Sequence, residues 1–94
     1  MPYFAIHCID KPDSAELRAA NRPAHLAHLA ALGDSVLVAG PLLRPDGRAM
    51  GSLLIIDFDD RDAAIAFATS DPYHQAGLFE SRSITNWHKA IPED

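Results

Sequence analysis

The stretch GSLLIIDF, residues 51–58, puts apolar side chains on both faces of any strand it forms. Side chains alternate along a strand, so Ser52, Leu54, Ile56 and Phe58 point one way while Leu53 and Ile55 point the other. The preceding run SVLVAG, residues 35–40, repeats the pattern, with Val36 and Val38 set against Leu37 and Ala39. A sheet made of such strands needs cover on each face. A chain of 94 residues buries only a modest fraction of its apolar surface by itself. The helices it can form cover one face, and the simplest cover for the other is a second copy of the same sheet. A homodimer is therefore expected.

The remaining elements fall around this pair of strands. YFAIHCI, residues 3–9, is β-rich and ends in DKPDS, a turn cluster that also offers a helix cap. Helical pattern begins near Ser14, but Pro23 lacks an N–H and clashes with the preceding turn. The sequence predicts a kink or restart there, with Asn21 as N-cap, Gly33 as the stop and a main helix over about 22–33. RPDGR, residues 44–48, joins strands two and three into a hairpin. Asp59, Asp60 and Asp62 suit the positive end of a helix carrying Ala64, Ile65 and Phe67, which must stop before Pro72. LFESRSITNW, residues 78–87, supplies a last strand with one polar face. The order β-α-β-β-α-β implies a ferredoxin-like α+β sandwich, expected as one domain over residues 1–94.

Charge and composition remove several function classes. Eight basic against 13 acidic residues give a net charge of −5, with no run of Lys or Arg to track a phosphate backbone. Neither nucleic acid nor membrane is an expected partner. No apolar run reaches the ~20 residues of a membrane span, and Met1-Pro2-Tyr3 does not open a basic-then-apolar leader, so the expected location is cytoplasmic. The single cysteine, Cys8, excludes an internal disulfide and a thiolate metal cluster.

NRPAHLAHLAALG, residues 21–33, then poses the functional question, because it carries two histidines three positions apart. On a helical wheel Leu26, Leu29 and Leu32 span an arc of about 120°; His25 falls inside it, and His28 lies about 40° beyond its edge. His25 is expected to face the interior or the lip of a cleft, and His28 to be partly solvated in a surface role. A metal site needs further ligands, and no HExxH or Cys/His cluster supplies them, so no metal is expected. A core histidine satisfied by backbone groups is the plainer alternative for His25. Arg22 shares the face of Leu29 and offers a hold for an anionic group or a partner for a local carboxylate.

SDPYHQAGL, residues 70–78, holds the second candidate. Asp71 suits the N-cap of a one-turn helix with Pro72 at its first position and Gly77 as its stop. Proline also keeps Asp71 out of helical geometry, so its carboxylate projects from the chain. A carboxylate beside His25 fixes the imidazole tautomer and makes it a general acid-base group. Spacing alone leaves contact between the two open.

Taken in order, RPAHL (22–26), AGP (39–41), GS (51–52) and DPYHQAGL (71–78) resemble the YciI-like family over nearly the whole chain. That family is similar in fold to muconolactone isomerase, a dimeric α+β barrel built from two ferredoxin-like sheets. The resemblance implies that His25 and Asp71 match the family's histidine-aspartate pair in a cleft, with Ser52 lining it. Activities attached to the family concern proton transfer or elimination on small cyclic compounds, including dehydrochlorination of chlorinated hydroxyquinones. Fold does not fix substrate. The expected function is a cofactor-independent lyase or isomerase: His25 and Asp71 are its acid-base dyad, and Ser52, Arg22 or Tyr73 meets a small-molecule ligand. The alternative is a ligand-binding or structural dimer in which the same pair only ties helix to loop.

Overall fold

The structure, a computed structural model, describes residues 2–93, so Met1 and Asp94 at the ends of the expected domain lie outside it. Four strands, β1 (Tyr3–Asp10), β2 (Val36–Leu43), β3 (Ala49–Asp57) and β4 (Phe79–Trp87), form one antiparallel sheet in the order β2-β3-β1-β4. Helices α1 (Ala15–Ala30) and α2 (Arg61–Ser70), with the one-turn α3 (Pro72–Gln75), complete the ferredoxin-like α+β fold.

Alternation on β1 and β3 explains where the core sits. Phe4 pairs with Ile56, Ile6 with Leu54 and Cys8 with Ser52, and all six side chains are buried on the helix side. Leu29 of α1 and Ala68 of α2 close over Ile6, Cys8, Leu54 and Ile56, with Phe58, Phe67 and Ile84 at the margin. The other face carries Ala5, Leu53 and Ile55, together with the half-exposed Val38 and an edge-on contact between the Tyr3 and Trp87 rings. Gly51 has a steric reason to be glycine, since a Cβ there would collide with the Cys8 carbonyl of the neighbouring strand.

Three local expectations are corrected. First, α1 runs without interruption through Pro23 and ends at Ala30, short of Gly33. Tertiary packing of its buried side chains, His25 and Leu29, outweighs the local cost of proline. Asn21 is not an N-cap; its side-chain amide donates to the Leu17 carbonyl inside the helix. Second, β2 continues past Gly40-Pro41 to Leu43, which proline permits because β2 is an edge strand. Third, Val36 and Val38 do not share a face. The register shifts between them, so that Val36 opposes Ile56 in the core and Val38 opposes Ile55 on the other side. An extra residue in one strand reverses the alternation beyond it.

The aspartate-led helix start is as expected. Asp60 is extended and its carboxylate accepts from the Ala63 N–H at 2.8 Å. No helix among the described residues is long and apolar enough to cross a membrane.

Candidate active site

Asp71 sits where α2 ends and α3 begins, and it fills two positions at once. As N-cap of α3 its Oδ1 accepts from the Tyr73 N–H at 2.9 Å, while Pro72 occupies the first helical turn. From α1, His25 Nδ1 lies 2.9 Å from Oδ1 and 3.0 Å from Oδ2 of the same carboxylate. A carboxylate can only accept, so Nδ1 carries the proton and donates, which leaves Nε2 as the free basic nitrogen. Both residues are buried, His25 to 5% and Asp71 to 3% exposure. Stacking holds the imidazole plane: the Tyr73 ring lies 4.0 Å from it, centroid to centroid, at 14°.

His25 opens onto a cavity of about 520 Å³ between α1, the β2-β3 hairpin and Tyr73. Its walls are apolar, with Leu26, Leu29, Pro41 and Leu43 among them, and its polar side chains are His25, Ser52, Tyr73 and the arginines 18, 22 and 48. Leu26, assigned to the apolar arc of the helix, is 47% exposed because it stands at this opening. Ser52, at 2% exposure, reaches the cavity from β3, and Arg22 reaches it as an exposed side chain. The five candidate residues, His25, Asp71, Ser52, Arg22 and Tyr73, thus converge on one region, with Asp71 behind His25 rather than in the wall.

Burial pushes the Tyr73 phenol up, against the opposing pull of the Arg18 and Arg22 guanidiniums. Burial, reinforced by the Asp71 charge, pushes the Cys8 thiol up to about 12. Cys8 is therefore no thiolate nucleophile at neutral pH, consistent with its place in the core.

Arg18 and Asp10 also stand at the site, although neither is among the residues expected from the sequence. Arg18 Nη1 meets Asp10 Oδ2 at 2.8 Å, its Nη2 donates to Ser52 Oγ at 3.0 Å, and its guanidinium stands 4.8 Å from the Tyr73 ring centre. The signal was present: on a continuous helix Arg18 lies about 20° from His25, two turns earlier. Starting the helix near Pro23 cut it off that face.

His28 is partly solvated, as expected, but it has more than a surface role. It is half-buried, stacks on Phe67 with centroids 4.1 Å apart, and donates from Nε2 to the Phe67 carbonyl at 2.9 Å.

The model of the YCII-related domain matches residues 2–88. The chain belongs to the YCII-related family. The protein YciI of Escherichia coli O6:H1 is 42% identical over 96 residues, a match spanning 94% of this chain and 98% of that protein. YciI of Shigella flexneri is also 42% identical, with the same coverage. Among solved structures, 5-chloro-2-hydroxyhydroquinone dehydrochlorinase (TftG) of Burkholderia phenoliruptrix, in complex with 2,5-dihydroxybenzoquinone, superposes with a TM-score of 0.88 at 33% identity. That match covers 98% of this chain and 99% of the other. An antibiotic biosynthesis monooxygenase shares the fold at a TM-score of 0.57 and 11% identity, over 98% of this chain and all of that one. In this chain the His25–Asp71 contact is a buried polar link between α1 and the start of α3.

Proposed function

We propose that this YCII-related protein is a cofactor-independent lyase or isomerase in which His25 and Asp71 act as an acid-base dyad on a small cyclic compound. The observation that carries this reading is that both carboxylate oxygens of Asp71 face His25 Nδ1, beside a cavity lined by the imidazole. Nε2 takes a proton from a carbon or hydroxyl conjugated with a carbonyl, and Asp71 stabilises the imidazolium that forms. The electrons left behind move toward the carbon that bears the leaving group, which departs with its bonding pair. In an isomerisation the imidazolium instead returns the proton at a second carbon. Both sequences balance without an oxidant or reductant, and Tyr73 keeps the ring from turning. TftG is a dehydrochlorinase of 5-chloro-2-hydroxyhydroquinone, and its likeness to this chain makes loss of HCl from a chlorinated hydroxyquinol the first reaction to try.

Assembly is part of the same reading. The face bearing Leu53, Ile55 and the exposed Val38 is covered by a second copy in a homodimer of the dimeric α+β barrel type. Light scattering is expected to give twice the chain mass of 10.2 kDa. A folded monomer at micromolar concentration would contradict it.

Chloride release from 5-chloro-2-hydroxyhydroquinone, measured on the wild type, His25→Ala and His28→Ala, tests the chemistry. The expected result is turnover that drops ~10²-fold or more in His25→Ala and stays near wild type in His28→Ala. Equal rates for all three folded proteins would leave the structural alternative, in which Asp71 serves only to cap α3 and fasten α1 to it.

A further inference from the structure

Arg18, Asp10 and Ser52 form a second polar cluster at the cavity, on the far side of Tyr73 from Asp71 in the chain of contacts. Arg18 and Asp10 are almost fully buried, with side chains 11% and 5% exposed. A buried ion pair of this kind repays its desolvation only when every remaining lone pair is satisfied. Here Asp10 Oδ1 is buried without a hydrogen-bond partner among the described residues. Stability is thus a poor reason for the pair, and its geometric effect is clearer: Asp10 fixes the guanidinium so that Nη2 points at Ser52.

That contact decides what Ser52 can do. Arginine only donates, so Ser52 Oγ accepts from it and must send its own proton elsewhere. The hydroxyl donates to none of the described residues, and Ser52 lines the cavity. The charged side chains in the cavity wall are the guanidiniums of Arg18, Arg22 and Arg48, with no carboxylate among the described lining residues, in a chain of net charge −5; Arg18 is paired with Asp10, which is not part of that wall. Arg48 is also paired with Asp46 in solvent, but Arg22 has no ion-pair partner among the described residues.

We propose that the cavity selects small planar anions, aryl oxides or aryl carboxylates, and that Arg18, braced by Asp10, is the positioning residue that makes Ser52 the donor to the anionic oxygen. The inference rests on reading the cavity as the ligand site, and it specifies the ligand class. The apolar walls take the ring, Ser52 and the arginines take the charged oxygen, and His25 Nε2 is left to meet the reacting end.

Binding of benzoate and of its neutral counterpart benzamide, followed through backbone amide shifts, tests this without any turnover. Benzoate is expected to bind the wild type at least about tenfold more tightly than benzamide. The preference collapses toward unity in Arg18→Gln, is partly restored in Arg18→Lys, and is reduced in Ser52→Ala. A merely structural role for Arg18 would weaken both probes together and leave the ratio unchanged. Failure of benzoate to bind, equal binding of the two probes by the wild type, or a ratio that survives both Arg18→Gln and Ser52→Ala overturns the proposal. Should Arg18→Gln not fold with Asp10 left buried and unpaired, Ser52→Ala carries the test. A dyad that catalyses without a benzoate preference defeats this inference alone, and a benzoate preference with an inert dyad defeats the proposed chemistry alone.

Discussion

His25 and His28 stand one turn apart on α1, and each stacks on an aromatic ring and hydrogen-bonds to another helix. What differs is the partner. His28 donates from Nε2 to the Phe67 carbonyl, one of the last-turn acceptors of α2 that lacks an intrahelical donor. The neighbouring orphans are met as well, Ala68 O by the Asp71 N–H and Thr69 O by the Gln75 side chain. His28 is thus a C-terminal cap supplied from another helix. His25 donates from Nδ1 to a buried carboxylate, and its remaining nitrogen belongs to a ring in the cavity wall. The same residue type, nearly the same packing and a different second partner separate the structural tie at His28 from the ring proposed for proton transfer.

The largest expected effect comes from removing the His25 partner. Asp71→Ala deletes the cap of α3 and strands the buried Nδ1–H of His25, a loss of about 3 kcal/mol in stability by denaturant unfolding. Asp71→Asn keeps an acceptor for the Tyr73 N–H but not the charge, so it is expected to recover most of that stability while turnover stays as low as in Asp71→Ala. Recovery of both would make Asp71 a cap and nothing more. A smaller loss, about 1–2 kcal/mol, is expected for His28→Ala, which leaves the Phe67 carbonyl without its donor and removes the stacked ring. If His28→Ala lowers turnover as far as His25→Ala does in a protein that remains folded, the contrast between the two histidines is lost.

How much of this was legible beforehand differs by element. The sheet, its hairpin and the order of helices follow from alternation and turn residues, which act locally. The one-turn helix after Asp71 follows from Asp-Pro and Gly77, whose φ of +77° is the left-handed stop such a helix needs. Continuity of α1 through Pro23 was not legible, because it depends on packing of His25 and Leu29 against elements distant in sequence. That error concealed Arg18, and with it Asp10. The contact of His25 with Asp71 spans 46 residues; no spacing rule reaches so far, and only the resemblance to the family pointed to it. The tie made by His28 was not legible for a related reason, since its partner is a backbone carbonyl, which leaves no mark in the sequence.

The two rings are also predicted to hold opposite tautomers. Imidazole ¹⁵N shifts of the neutral protein, assigned through the ring protons, are expected to show His25 protonated at Nδ1 with Nε2 bare, and His28 protonated at Nε2 with Nδ1 bare. In Asp71→Asn the His25 pattern is expected to weaken while His28 is untouched. His25 found protonated at Nε2 in the wild type, or averaging freely between tautomers as a solvated histidine does, would contradict the claim that Asp71 holds this ring ready to accept a proton from the cavity.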